Sequence, residues 1–225
     1  MCVSAVVETE RSQVAALLGL GTLASAGDAS DGAGDLPRRL EARHPAWVVR
    51  LGRSGRLVAE RMRFNPYVAR RRSLGGDPWT STLLGANHGL VVLRTFSEWV
   101  SARRLLELGL IDPHEVHCAF NRVAPHPGWA ADRLLLANFH AAGPLLVPVL
   151  FDETAGERQF VVVTDDPPAL LQPTGLAQAP RALGLEAAHE WLQVVDADDP
   201  FAIDFEEVLE DGKAAAYTFS LYKSA

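Results

Sequence analysis

Apolar residues recur along the chain with two different periods, and the change of period predicts both strands and helices. Runs rich in Val, Leu and Phe predict strands at residues 3–7, 47–51, 56–60, 90–93, 145–151 and 159–164. Helical spacing of apolar positions predicts helices at residues 10–20, 100–110 and 185–194. Because strands and helices follow one another without a regular β-α alternation, we expect an α+β fold rather than a doubly wound parallel sheet.

Glycine, proline and polar residues separate these elements. Gly52 and Gly55 enclose a short stretch between two predicted strands, which indicates a hairpin. The polar residues 152–158 lie between two strongly β-prone segments, so we expect those two strands to pair. Residues 21–35, rich in Gly, Ala, Ser and Asp, predict a flexible loop, and residues 165–180 predict a proline-rich loop.

Composition is that of an ordinary soluble globular protein. The chain has 225 residues, of which 48% are hydrophobic and 22% charged, and no apolar run approaches the roughly 20 residues that span a bilayer. We expect one domain over residues 1–225 with an acidic C-terminal segment at residues 196–225. The start resembles no secretory signal, and Cys2 and Cys118 alone make no disulfide framework, so the expected compartment is the cytoplasm and no membrane partner is expected.

Charge is unevenly spread. The net charge of −7 argues against indiscriminate binding of nucleic acid, but eleven arginines lie between residues 38 and 72. They are Arg38, Arg39, Arg43, Arg50, Arg53, Arg56, Arg61, Arg63, Arg70, Arg71 and Arg72. Guanidinium groups bind phosphate oxygens in pairs, so these side chains could line a phosphate-binding groove or could form an ordinary solvated face.

The chain begins with Met1 and Cys2, and removal of Met1 would leave a cysteine whose α-amine lies beside its own thiol. These groups titrate near pH ~8 and ~8.5, so a useful fraction of each is reactive at neutral pH. The thiol could attack an amide with the amine as base, or both groups could capture an aldehyde as a thiazolidine. The structural alternative is that Cys2 is a small apolar residue that opens the first strand.

Glu98 is the second candidate catalytic residue. It lies between Phe96 and Trp99 at the end of a predicted buried strand, where burial would raise the pKa of its carboxyl group and suit it to proton transfer. The alternative is a carboxylate that pairs with a surface arginine. His114, His117 and Cys118 have the spacing of metal ligands, but nothing nearby completes a tetrahedral set, so neither a metal nor another cofactor is expected.

Four short stretches resemble the SOS response-associated peptidase (SRAP) family, whose members crosslink to abasic sites in single-stranded DNA. Met1 and Cys2 resemble the start of its Met-Cys-Gly-Arg motif, and residues 60–64 resemble the strand before its Asn-Ala-Arg segment. Residues 96–99 (Phe-Ser-Glu-Trp) resemble its Phe-Tyr-Glu-Trp. Residues 147–151 with 160–167 resemble the strands that lead into its histidine loop.

The resemblance implies an α+β fold around a β-barrel-like core, and a protein of the SOS and DNA-damage responses. It also implies loss of Met1 by the autopeptidase activity, followed by capture of the aldehyde of an abasic site by Cys2, without a metal. Glu98 would transfer protons and Asn65 would stand at the family's asparagine. Substrate DNA would be held by Arg63, Arg70, Arg71 and Arg72.

The sequence departs from the family at several positions. Leu176 stands where the family has its catalytic histidine, and a leucine cannot transfer protons. The asparagine segment is either Asn65 followed by an insertion, or residues 68–70 with the asparagine lost. Three alternatives therefore stay open: a family relative that kept the fold as a binding protein, an N-terminal nucleophile amidase, and a Cys2-dependent reaction on a small molecule.

Overall fold

The computed structural model describes residues 4–26, 36, 39–84, 86–112, 134–154, 156–193, 205–210 and 217–221. The strands within these ranges are β1 Ser4–Val7, β2 Ala24–Ser25, β3 Arg39–Leu40, β4 Pro45–Leu51, β5 Leu57–Arg70, β6 His88–Ser101, β7 Leu134–Thr154, β8 Glu157–Asp165, β9 Ala179–Pro180 and β10 Tyr217–Leu221. The α-helices are α1 Arg11–Leu17, α2 Pro78–Leu83, α3 Ala102–Glu107, α4 Leu185–Gln193 and α5 Phe205–Glu210.

Five strands close on themselves into a barrel in the order β7-β8-β5-β4-β6, and β6 pairs again with β7. All neighbouring pairs in this ring are antiparallel except β5 and β8, which run parallel. The remaining strands extend the sheet: β1 and β3 continue from β6, β10 lies against β7, β2 pairs with β5, and β9 pairs with β8. The predicted α+β fold with a barrel-like core is confirmed.

The barrel interior is filled by aromatic and branched side chains that alternate along the five strands. The rings of Phe96 and Phe139 stack with centroids 4.9 Å apart, and those of Phe64 and Phe160 lie 5.6 Å apart. All four phenylalanines are essentially inaccessible to solvent. A filled interior means that a substrate has to bind at an end or on the outer surface of the barrel.

A second apolar layer lies outside the barrel, where helices α1 and α4 pack on the strands. Trp191 of α4 is fully buried there and its Nε1 donates to the Gly89 carbonyl oxygen at 2.8 Å. Gly89 is required at this crossing, because a Cβ at that position would lie 2.6 Å from the Val49 carbonyl oxygen. The helices predicted at residues 10–20 and 185–194 thus form, and they supply this layer.

Both predicted strand pairs are present. Strands β4 and β5 form a hairpin whose turn has Gly55 at φ 72, and Gly52 donates to the Arg56 carbonyl oxygen at 2.8 Å. The second pair is β7 with β8. Its turn is shorter than predicted, because the polar residues on either side of Gly156 face solvent from within the strands rather than from a loop.

Two strands differ from the sequence prediction, and some predicted features lie outside the described residues. The strand predicted at residues 90–93 spans 14 residues as β6, because its pairing with β7 continues through the polar residues that follow Leu93. Ala24 and Ser25 form β2, parallel to β5, where a flexible loop was expected. The segment with His114, His117 and Cys118 lies outside the described residues, as do Cys2 and most of the acidic segment.

Within the part of the chain that the structure describes, no helix is both long enough and apolar enough to cross a membrane.

Candidate active site

Three barrel strands end at the same end of the barrel. Strands β5 and β8 are parallel, and β7 runs antiparallel to both β8 and β6, so β5, β6 and β8 point in one direction. Their last residues, Arg70, Ser101 and Asp165, therefore lie at one end, which is called here the carboxyl end of the barrel.

Strand β1 begins at this carboxyl end, because it runs antiparallel to β6. Ser4 is paired with Ser97, and Ala5 is paired with Phe96. Cys2 lies outside the described residues, but consecutive Cα atoms are about 3.8 Å apart, so the chain keeps its Cα within about 8 Å of that of Ser4. Ser4, two residues after Cys2 in the sequence, is thus opposed to Ser97, the residue before Glu98.

Glu98 lies inside β6 rather than at its end, three positions before Ser101. Its side chain is 8% exposed and shares the inward face of the strand with Phe96 and Val100. Burial raises the pKa of the Glu98 carboxyl group, and the Trp99 amide, which donates to Oε1 at 3.1 Å, opposes the rise. A carboxyl group whose pKa is raised in this way is suited to proton transfer.

A polar pair that the sequence analysis did not single out lies next to Glu98, on the other face of the same strands. The Ser97 hydroxyl donates to Oδ1 of Asn138 at 2.6 Å, and the two residues are directly opposed on β6 and β7. Two rungs away, on the same face, Thr95 is opposed to His140. Sequence reasoning missed these pairs because they depend on the register of two strands that are far apart in sequence.

The loop that carries Leu176 packs against the same end of the barrel. Arg104 of α3, the helix that directly follows β6, donates from Nε to the Pro173 carbonyl oxygen at 3.1 Å. Gly175 adopts a left-handed conformation at φ 76, and the Leu176 side chain is buried with the barrel interior. The loop thus supplies apolar packing at residue 176 and no proton-transfer group.

The three consecutive predicted arginines lie at the carboxyl end as well. Arg70, Arg71 and Arg72 line a small cleft with Thr164 and Gln178. Arg71 pairs with Asp165 at 2.7 Å, while Arg70 and Arg72 are exposed. Two of the three arginine side chains are therefore exposed at this end of the barrel.

Arg63 and Asn65 lie far from the carboxyl end of the barrel. Arg63 is opposed to Gln159 near the start of β8 and pairs with Glu157 at 2.9 Å. Arg63 and Arg70 are opposed to Gln159 and Thr164 of β8, which are five positions apart, a distance of about 17 Å along that strand. The structure therefore does not bring the predicted substrate-binding and catalytic residues into one cluster: Asn65 and Arg63 are near the β7–β8 turn, and Glu98 is at the carboxyl end.

No group of three or more His, Cys, Asp or Glu side chains within the described ranges could hold a metal ion. His114, His117 and Cys118 lie outside these ranges.

The fold and the site together define a five-stranded closed barrel with a desolvated carboxyl group near one end. No family model and no curated protein matches the sequence. Solved structures do match over nearly the whole chain. A phage-related protein from Bordetella bronchiseptica has a TM-score of 0.63 at 17% identity, covering 99% of this chain and 95% of its own.

Two further solved structures are similar. Another Bordetella bronchiseptica protein has a TM-score of 0.63 at 14% identity, covering 99% of this chain and 100% of its own. A protein from Bacteroides thetaiotaomicron has a TM-score of 0.60 at 13% identity, and the match covers 98% of this chain and 91% of its own. At these identities the likeness shows a shared fold.

Proposed function

We propose that this protein is SRAP-like and captures abasic sites in single-stranded DNA through a thiazolidine on Cys2. The observation that carries the proposal is the pairing of Ser4, two residues after Cys2 in the sequence, with Ser97, which directly precedes the buried Glu98. The sequence resemblance at Cys2 and Glu98 supplies the reaction, and the exposed Arg70 and Arg72 at the same end of the barrel suit phosphate binding.

The reaction balances without a cofactor. Hydrolysis of the bond after Met1 consumes one water molecule and frees the α-amine of Cys2. That amine adds to the ring-opened sugar aldehyde, and the resulting carbinolamine loses water to give an imine. The Cys2 thiol then adds to the imine carbon, and its proton passes to the nitrogen, which closes the thiazolidine ring.

Glu98 is suited to the two proton transfers in this sequence. In its protonated form it can donate to the departing hydroxyl of the carbinolamine, and as a carboxylate it can accept the thiol proton. Because burial raises the pKa of Glu98 above the usual carboxyl value, its protonated form persists to higher pH than that of an exposed carboxyl group, which suits it to the first transfer. With Leu176 in the loop that bears the family's histidine, Glu98 carries these transfers without a second base, and reversal of the crosslink is slow.

The test is incubation of the purified protein with a single-stranded oligonucleotide that bears one abasic site. A denaturing gel and an intact-mass measurement should show an adduct of the protein without Met1 plus the oligonucleotide, minus one water. Cys2→Ala should abolish the adduct, whereas Cys118→Ala, which removes the other cysteine of the chain, should leave it intact.

An absence of adduct from protein that has lost Met1 would overturn the proposal. The second candidate would then apply, a relative that keeps the barrel as a binding protein. It is favoured by one observation, the burial of an apolar side chain at residue 176.

A further inference from the structure

A groove on the outer surface of the barrel, away from Glu98, has the features of a binding site. It has a volume of about 370 Å³, within the range of small-molecule sites. Two aromatic side chains line it, Tyr67 at 71% exposure and Trp79 at 41%. Exposed aromatic rings that share one concave surface are uncommon unless they bind something.

The backbone holds Tyr67 in this exposed position. Between Phe64 and Val68 strand β5 advances four residues while its partner β8 advances two, so residues 65–67 bulge from the ladder. Pro66 lies in the bulge, and the Tyr67 amide donates to Oδ1 of Asn65 at 3.1 Å. The ring is thus presented by an ordered turn rather than by a free loop.

Trp79 is fixed in a similar way from the other side. It lies in the first turn of α2, where Oδ1 of Asp77 caps the helix by accepting from the amides of Trp79 and Thr80, each at 3.0 Å. Two aromatic residues with ordered backbones therefore border the groove, which lowers the entropy cost of binding a flat ligand.

Polar edges of the groove match the hydrogen-bonding groups of a nucleobase. Asp152 and Gln159 are directly opposed on β7 and β8, and Asn65 Nδ2 lies 3.5 Å from Oε1 of Gln159. The Asp152 carboxylate accepts from its neighbouring amide, Glu153, at 2.7 Å, and can accept an amino hydrogen as well.

A phosphate-binding group lies next to the groove. Arg63 is two positions from Asn65 on β5, and its pairing with Glu157 is between half-exposed side chains. Such surface ion pairs contribute little to the stability of the protein. A phosphate of the DNA backbone can therefore replace Glu157 as the partner of Arg63.

We propose that this groove holds one unpaired base of single-stranded DNA, stacked between Tyr67 and Trp79. The proposal takes its ligand class from the proposed function, but it concerns undamaged DNA and a non-covalent contact. Asp152 favours bases with an exocyclic amino group over thymine, and Arg63 binds the adjoining phosphate.

The test uses protein with Cys2→Ala in every variant, so that capture of an aldehyde plays no part, and a fluorescently labelled, undamaged single strand. In anisotropy titrations Tyr67→Ala and Trp79→Ala should each weaken binding about tenfold, the usual value of one stacked base. Tyr67→Phe and Trp79→Phe keep a ring and should bind like the parent. Leu185→Ala, which truncates an exposed residue on α4, should also bind like the parent.

Base preference is tested with cytosine and thymine strands of equal length. The parent should prefer cytosine by about fivefold, the equivalent of one hydrogen bond, and Asp152→Asn should remove the preference. Alanine variants that bind as tightly as the parent, or phenylalanine variants as weak as the alanine ones, would overturn the proposal. Because no abasic site is present, either result is independent of whether Cys2 forms adducts.

Discussion

Among single residues, Glu98 has a position that is unfavourable for stability and suitable for chemistry. It faces the same side of β6 as Phe96 and Val100, which belong to the barrel interior. Burial raises the pKa of its carboxyl group, so its ionised form destabilises the folded state as the pH rises above the usual carboxyl value near 4.5. Replacing the carboxyl group with a neutral amide removes that penalty.

The substitution Glu98→Gln separates the two roles. Adduct formation with abasic DNA should slow, and its remaining rate should lose the dependence on the Glu98 pKa, because an amide cannot transfer protons. The free energy of unfolding at pH 7 should be equal or higher, since no buried charge remains. Rates from gel time courses and urea unfolding of the same preparations check this; a slower rate caused by lower stability would contradict it.

Sequence alone predicted the burial of Glu98 but not its surroundings. Phe96 and Trp99 indicated an apolar setting, yet only Phe96 shares the face of Glu98, and Trp99 is 48% exposed on the other side. The pairing of Ser97 with Asn138 was missed because it requires the register of two strands whose partners are 41 residues apart. The local sequence pattern predicts whether a residue is buried, whereas the register between two strands determines which side chains contact each other.

For the helices and strands, the sequence predicted the type of each element better than its length. The helices at α1 and α4 and both strand pairs were predicted, since each has a local signal in apolar spacing or in glycine turns. Strand β7 spans 21 residues, although only residues 145–151 had been predicted, because Asn138, His140 and Gly143 interrupt its apolar pattern. Asn138 and His140 are tolerated because β7 is paired there with both β10 and β6, and Gly143 lies where the pairing with β6 is irregular.

The loop after β8 can be tested as an element. If it corresponds to the family's histidine loop, Leu176→His should speed formation or reversal of the abasic-site adduct, since it adds a proton-transfer group at the carboxyl end. It should also lower stability by about 2 kcal/mol, because an imidazole replaces a buried leucine. Adduct time courses and thermal melts measure the two effects.

Leu176→Ala is the matched control, which removes packing without adding a proton-transfer group. If Leu176→His changes neither the formation nor the reversal rate, the correspondence between this loop and the family's loop is wrong.

For the whole molecule, the contact between the barrel and its helical layer contains a titratable group. His88 of β6 is 4% exposed, and its ring packs edge-on against Trp191 of α4 at 5.4 Å. Burial lowers the pKa of His88 from 6.5 to about 4, so the ring is neutral in the folded protein. The attachment of α4 to the barrel therefore depends on an uncharged imidazole.

Global stability should fall on acidification for this reason. The folded-state pKa is lower than the unfolded one, so the contribution of His88 is complete above pH 6.5 and is lost as the pH falls toward 4, by about 3 kcal/mol. Urea unfolding at pH 7.5 and 4.5 measures the loss. In His88→Phe, which keeps an aromatic ring, the fall should be smaller by about that amount; an equal fall in both proteins would contradict the assignment.

The parallel pairing of β5 with β8 has a consequence for how the chain folds. Side chains that meet across it are 94 residues apart in sequence, as in the pairing of Arg71 with Asp165. The barrel cannot close until the second half of the chain has been made and brought back, and closing so large a loop is entropically costly. Folding should therefore be slow compared with helical proteins of this size, with open strand edges on the nascent chain until β7 and β8 join the ring.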